Sequence, residues 1–507
     1  MKNQLKAGAI ISYVNLLVGN IIPFIYTPIM LRLLGQAEYG LYGIAQSIMG
    51  YISLLNFGIG GTIVRYLAKY RAEGNKEQEA CVAGLFIKIY SVVCGLILIV
   101  GLAFAANIEV YSRSLSAGEV ETLRVLVVLM TLNTAVFLPF SVFSSVVIAY
   151  EQYVFSKLVG ILSTIAAPVL NIVLLYCGFG SVGLVVASSI IHLITYGLYA
   201  WYALCRIKLR LSFRKAEPGL LQEILKFSSF VFLASIVDTL FWTTDKLIIG
   251  WAKGTKDTAV YNIGSTFNTY VTSLSSAISG LLVPKLTQMV VKESPKEEFT
   301  RIFIKVGRLQ FIVISFIVSA FVAFGRQFIA LWAGPEYSLS YYVALLTMIP
   351  VTIPLIQNTG INILYALNKH QFRSVVYTCI AVLNVALTFW WVESYGIIGA
   401  AMATCIAYVL GNILIINWYY YKKIGIDIPQ FWKNIVKMSP VMIMMGIAAW
   451  FVLDALTVDS WIEFFTAAAV YSVVYFVLAY RFMMNQYERD TIMVPVKKVL
   501  RKLRILK

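Results

Sequence analysis

The sequence predicts an all-α integral membrane protein. We expect 14 transmembrane helices, set as two six-helix lobes related by pseudo-two-fold symmetry, with two C-terminal helices added. Three observations predict this. Apolar residues make up 60% of the 507 residues and charged residues only 13%, whereas a soluble domain carries about a quarter charged. The apolar residues gather into long stretches. The lysines and arginines gather on alternate loops between those stretches.

The stretches lie near 7–31, 39–63, 82–106, 123–149, 158–177, 183–204, 228–250, 258–283, 306–325, 339–366, 374–392, 397–420, 438–456 and 461–480. Each approaches the roughly 20 residues needed to cross hydrocarbon. Lipid offers no partner to a bare backbone, so each must be helical. The first is too long for a signal-peptide core of about 7–15 residues and is expected to be retained. With the amino terminus in the cytoplasm, 33 of the 41 lysines and arginines fall on the even-numbered loops, the span ends beside them and the two tails. That asymmetry fixes the topology, with both termini cytoplasmic. The net charge of +17 then faces anionic lipid headgroups, and no nucleic acid is needed to explain it. The six cysteines lie in or beside spans without metal-ligand spacing, and read as small buried residues.

The two halves repeat. Asn171 followed by Gly180-Ser-Val-Gly183 matches Asn384 followed by Gly396-Ile-Ile-Gly399, an Asn inside one span and a G-x-x-G turn opening the next. More weakly, residues 31–40 (LRLLGQAEYG) match residues 245–250 (DKLIIG) with Tyr261. The offset is six helices, an even number, so the repeats are parallel. The expected division is an N-lobe over 1–204, a cytoplasmic linker over 205–227, a C-lobe over 228–420, the last two spans over 421–481 and a basic cytoplasmic tail over 482–507. The linker alternates basic and apolar residues from Arg206 to Lys215 and is expected to lie on the cytoplasmic surface.

Ionisable groups at bilayer depth are costly and so are candidates for function. Lys88, Asp238, Asp245, Lys246 and Arg308 lie within spans, with Arg32 and Arg65 at span ends. Asp238 and Asp245 are seven residues apart, which places both on one face of a continuous helix. A carboxylate there needs a proton, a cation or a basic partner. Lys88 either offers charge to a phosphate or reaches back to the headgroups. Arg65, Arg308 and Arg373 sit near cytoplasmic ends, where reaching the headgroups is the simpler reading. His192 joins Ser188 and Thr195 in one polar stripe, which suits a proton relay or a packing contact. Gln46, Gln357 and Asn358 either line a cavity or tie helices together.

The motifs at 31–40, 245–250, Asn384 and 396–400, in this order and over the full chain, resemble the bacterial polysaccharide-export flippases. These are the O-antigen and teichoic-acid translocases of the multidrug/oligosaccharidyl-lipid/polysaccharide superfamily. The resemblance implies a V-shaped cavity between two bundles and alternating access. The implied substrate is an undecaprenyl-pyrophosphate-linked glycan, carried from the inner to the outer leaflet of the bacterial inner membrane. Polysaccharide polymerases or glycosyltransferases are implied partners, beside membrane lipids. Arg32, by the resemblance, and Lys88, Arg65 and Arg308, by their charge in or beside spans, are candidates for the pyrophosphate or the cavity. The resemblance makes Asp245 and Asn384 candidates for a coupling-cation site, beside the mid-span carboxylate Asp238. The coupling ion would be Na+ or H+, with no cofactor. The lipid II flippases carry a second Arg shortly after the first, and Gln36-Ala37-Glu38 stand there instead. A multidrug antiporter of the same superfamily is the rival function, and Lys and Arg outnumber Asp in the spans, which favours an anionic headgroup. A polyprenyl-dependent glycosyltransferase is disfavoured by the lack of a large outer loop and of a paired acid and base.

Overall fold

The computed structural model describes residues 2–111, 113–214, 219–280, 283–292, 294–455 and 460–490. Among these the chain is helical with connecting turns and no strand. Eleven segments are long and apolar enough to cross a membrane, or twelve if the bent pair Ser340–Ile356 and Asn358–Ala366 counts as one more. Large apolar side chains face outward along them, among them Ile99 at 68% and Ile462 at 81% exposure. Such a surface in water would drive aggregation, so its solvent is lipid. The protein is a multi-pass membrane protein.

By contacts the chain forms two compact units, residues 1–262 with 385–400, and residues 263–384 with 401–507. The first contains α1 (Lys2–Leu34), α2 (Gln36–Ile52), α3 (Gly60–Ala72), α4 (Lys76–Ala106), α5 (Ala117–Phe137), α6 (Ser141–Ala149), α7 (Tyr153–Tyr176), α8 (Gly180–Trp201), α9 (Leu220–Trp242), α10 (Thr244–Lys253) and the start of α11 (Thr255–Gly280). Several expected spans are therefore broken. The stretch 39–63 is split by a 3-10 turn at Ser53–Asn56, and 123–149 is split just before Ser141, beside Pro139. Proline removes a backbone donor and breaks the ladder there. One core joins α2, α4 and α5 around Ile44, Ile97, Leu123, Leu126 and Val127. A second joins α3, α4 and α6 around Ile63, Leu67, Phe86, Val142 and Val146.

The second unit contains the rest of α11, then α12 (Val283–Val291), α13 (Lys296–Trp332), α14 (Ser340–Ile356), α15 (Asn358–Ala366), most of α16 (Gln371–Tyr408), α17 (Asn417–Tyr419), α18 (Ile428–Ala455) and α19 (Trp461–Leu478). The long α13 organises it. Phe303 packs on Phe431 of α18 at 4.8 Å between ring centroids, and Gly307 leaves room for the same ring. Toward its other end, Ser315 meets the Tyr475 hydroxyl at 2.7 Å and Ser319 accepts from Tyr471 at 2.7 Å. Such bonds in a membrane average only about 0.6 kcal/mol, so side-chain packing sets the strength of the bundle.

The repeat is visible in backbone conformation. Gly180 and Gly396, paired in the sequence, take φ of 53° and 58°. Both turn the chain into the following helix, and only glycine does this without strain. At Gly396 the ψ of −142° is non-helical and breaks α16 in two. The second glycine of each motif gives close packing. A Cβ on Gly183 would meet Phe179 at 2.8 Å, and one on Gly399 would meet the Trp391 carbonyl oxygen at 2.5 Å. The weaker match needs shifting. Gly35 shares its conformation (φ 78°, ψ 164°) with Gly254 (φ 87°, ψ −166°), whereas Gly250 lies inside α10.

The linker does not simply rest on a surface. Its irregular residues 208–213 pass beside α4, where Ser212 N donates to the Ala80 carbonyl at 3.1 Å. Gly84 permits this, because any Cβ there would strike the Ser212 carbonyl. Residues 215–218 of the linker and 491–507 of the expected basic tail lie outside the described residues.

Candidate functional site

Asp245 is the most constrained of the expected site residues. It sits in the first turn of α10 and is 2% exposed. Its Oδ2 accepts from the Tyr261 hydroxyl at 2.6 Å and its Oδ1 from the Thr388 hydroxyl at 2.8 Å. Next to it, the Thr244 hydroxyl pairs with the Tyr51 hydroxyl of α2. All of these groups belong to the first unit. Burying a carboxylate in an apolar body costs several kcal/mol unless donors or cations surround it. Each bond to the charged form returns about 1.5–3 kcal/mol. The result is a rigid acceptor with hydroxyls converging on it, a donor set suited to a hard cation or a proton.

The helical break corrects one expectation. Asp238 and Asp245 are not on one uninterrupted helix, because α9 ends at Trp242 and Thr243 separates it from α10. Asp245 is buried while Asp238 is exposed on α9. Asn384 lies in the second unit, fully buried, and its side-chain oxygen accepts from Thr404 at 3.3 Å.

The expected cationic residues are dispersed. Arg32 is exposed in the last turn of α1. Arg65 is exposed and stands over the Phe227 ring at 5.2 Å. Lys88 lies three turns inside α4, since that helix begins at Lys76. Its Nζ donates to the Phe213 carbonyl of the linker at 2.6 Å. Arg308 lies three turns into α13, which starts twelve residues earlier. It is 8% exposed, with Nε and Nη2 donating to the two carboxylate oxygens of Glu488 at 2.6 and 2.9 Å.

Of the polar candidates, His192 shares a cavity of about 380 Å³ with Ser188, Thr195, Ser163 and Thr164, so the stripe read from spacing is a single wall. Its Nδ1 lies 3.2 Å from the Asn133 side-chain oxygen, and its ring meets Phe137 edge-on. Gln46 is exposed on α2. Gln357 is buried between α14 and α15, where it donates to Asn417 at 2.8 Å and so ties helices together. Asn358 begins α15.

Sequence reading passed over four residues that the structure makes prominent. Thr388 stands one turn beyond Asn384, a spacing that was legible. Tyr261 stood in the repeat without a role. Glu38 accepts from the Ser181 N–H and hydroxyl at 2.7 and 2.9 Å, fastening the start of α8. Glu119 accepts from Thr255 at 2.7 Å, beside Arg113, which pairs with Glu393 at 2.9 Å.

Comparison with known proteins places this arrangement. The family model described as "Polysaccharide biosynthesis protein" matches residues 5–290. The chain is 22% identical over 495 residues to the uncharacterized membrane protein EpsK of Bacillus subtilis (strain 168), covering 93% of this chain and 94% of that one. It is 20% identical over 401 residues to a putative O-antigen transporter of Shigella flexneri, covering 78% and 92%. Among solved structures it is similar in fold to the lipid II flippase MurJ in an inward closed conformation. That match has a TM-score of 0.72 at 13% identity, and covers 94% of this chain and 98% of that one. With the family model matching more than half its length, the chain belongs to the polysaccharide biosynthesis protein family.

Proposed function

We propose that this protein is a flippase that carries an undecaprenyl-pyrophosphate-linked oligosaccharide from the inner to the outer leaflet by alternating access. Membership of a polysaccharide biosynthesis family in a chain built of membrane-spanning helices carries the proposal. The relatives named as an O-antigen transporter and a lipid II flippase support it. The physics is simple. A polyprenyl tail stays in lipid throughout, while pyrophosphate and sugars face a barrier of many kcal/mol in hydrocarbon. A wet passage between helices removes that barrier.

The full architecture is part of the proposal. The eleven apolar segments become fourteen when α16 is divided at Gly396, the bent pair α14 and α15 is counted, and α11 is included. An even count keeps both termini in the cytoplasm of a bacterial inner membrane, the side to which 33 of the 41 cations fall. The lobes 1–204 and 228–420 then act as the two moving halves. Arg32 meets the pyrophosphate, and Asp245 with its hydroxyl donors takes up Na+ or H+ to drive the cycle. Polymerases or glycosyltransferases work on the same glycan.

The test is flipping in vesicles. Purified protein is reconstituted with a fluorescent undecaprenyl-pyrophosphate glycan, and outer-leaflet exposure is followed under imposed Na+ or H+ gradients. Transfer above protein-free vesicles, accelerated by one gradient and lost in Asp245→Asn, is expected. No transfer under either gradient would refute the reading.

A further inference from the structure

We propose that a cavity of the second unit, at the start of α13 and α18, binds the headgroup of a zwitterionic phospholipid whose phosphate is followed by a primary ammonium. The cavity measures about 680 Å³ and is bounded by the early turns of both helices and by Asn485 and Tyr487. This volume lies within the range of small-molecule sites.

Its charges are ordered along the helix axis. Glu297 lies in the first turn of α13 and Asp427 immediately precedes α18, so both carboxylates line the cavity at the helix starts. Arg301, Lys305 and Arg308 follow on one face of α13, one to three turns deeper. Arg308 forms the buried end of this row. It is more than nine-tenths buried, and Glu488 and the Met483 carbonyl take its Nε and Nη2. Among the described residues its Nη1 has no hydrogen-bond partner, and the residue lines the cavity. Lys305 stands over the Tyr487 ring at 3.5 Å, and Arg301 makes no ion pair among the described residues.

The Arg301 guanidinium, the Lys305 ammonium and the remaining Nη1 of Arg308 suit a phosphate. Carboxylates one turn outward, about 5.4 Å along the axis, suit a group that is cationic and can donate. Counting Glu488 with the two mouth carboxylates, three negative charges balance three positive ones. A net anionic headgroup is therefore not what the site complements. A phospholipid in the adjoining leaflet presents its phosphate nearer the membrane and its terminal group outward, which is the order of charges here. A primary ammonium offers three donors to Glu297 and Asp427, whereas a trimethylammonium offers none. Basic pockets between helices at the cytoplasmic face hold lipid headgroups by the same forces.

The test uses full-length protein in nanodiscs of phosphatidylethanolamine, phosphatidylcholine and phosphatidylglycerol in equal parts, with retained lipid counted by native mass spectrometry. Phosphatidylethanolamine retained at least about fivefold over either competitor is expected. Arg301→Gln with Lys305→Gln should remove that retention by about fivefold per cation. Glu297→Gln should erase the preference over phosphatidylcholine. Equal retention of the three lipids, preferred retention of phosphatidylglycerol, or a preference that survives the double variant would overturn the proposal. Soluble O-phosphoethanolamine is expected not to displace the lipid, and displacement would overturn the lipid as the source.

Discussion

Removing the Glu488 carboxylate should be among the most damaging single changes outside the Asp245 cluster. Glu488 is 1% exposed and Arg308 is 8% exposed. Their bond is bidentate, at 2.6 and 2.9 Å, and Nη2 also donates to the Met483 carbonyl at 2.9 Å. Glu488 further accepts from the Asn485 backbone N–H at 2.9 Å, so one carboxylate fixes the whole turn after α19. Glu488→Ala leaves a buried guanidinium uncompensated, which costs about 3–5 kcal/mol. Replacing both partners, Arg308→Met with Glu488→Leu, removes the charge and its desolvation together and should recover most of that loss. The exposed pair Arg113–Glu393 gives the contrast. Its side chains are 54% and 46% exposed, so Glu393→Ala should cost under about 1 kcal/mol. The assay is thermal unfolding of purified protein in detergent, followed by reactivity of buried cysteines such as Cys81 and Cys94. A clear drop in Tm for Glu488→Ala, substantial recovery in the double variant and near-wild-type behaviour for Glu393→Ala are expected. If Glu488→Ala unfolds with the wild type, or the double variant is worse than the single, the reasoning from a desolvated pair fails.

Other outcomes follow from the same geometry. Thr388→Val removes one donor to the buried Asp245, worth about 1.5–3 kcal/mol, and should slow gradient-driven flipping by about tenfold or more in reconstituted vesicles. Gly180→Ala should destabilise more than Gly396→Ala, because each strains a positive φ at about 1–3 kcal/mol but only the first drives a Cβ into the Glu38 carboxylate; paired melting curves check the order. Gly84→Val should push the linker off α4 and expose residues 208–214 to limited proteolysis, while melting of the remainder changes little. Arg32→Ala should lower surface glycan at unchanged protein level, read by immunoblot and glycan staining.

The length of the apolar stretches and the asymmetry of lysine and arginine were enough to establish a multi-pass helical membrane protein. Both are local properties, set by the cost of exposing backbone and charge to hydrocarbon. The G-x-x-G repeat was legible for a related reason: a positive φ demands glycine wherever it occurs, so Gly180 and Gly396 announce their turns in one dimension. Partnership is different. Nothing in the chain near Arg308 names Glu488, which is 180 residues away. The seven-residue spacing of Asp238 and Asp245 implied a shared face, yet one is exposed and the other buried, with a helix break at Thr243 between them. Thr388, 143 residues beyond Asp245, and Tyr261, across the turn before α11, became its donors only in the folded chain. The sequence by itself therefore determined where the chain must avoid water and where it must turn, because single residues bear those costs. Only tertiary structure decided which buried charges are compensated and by whom, because that energy belongs to pairs.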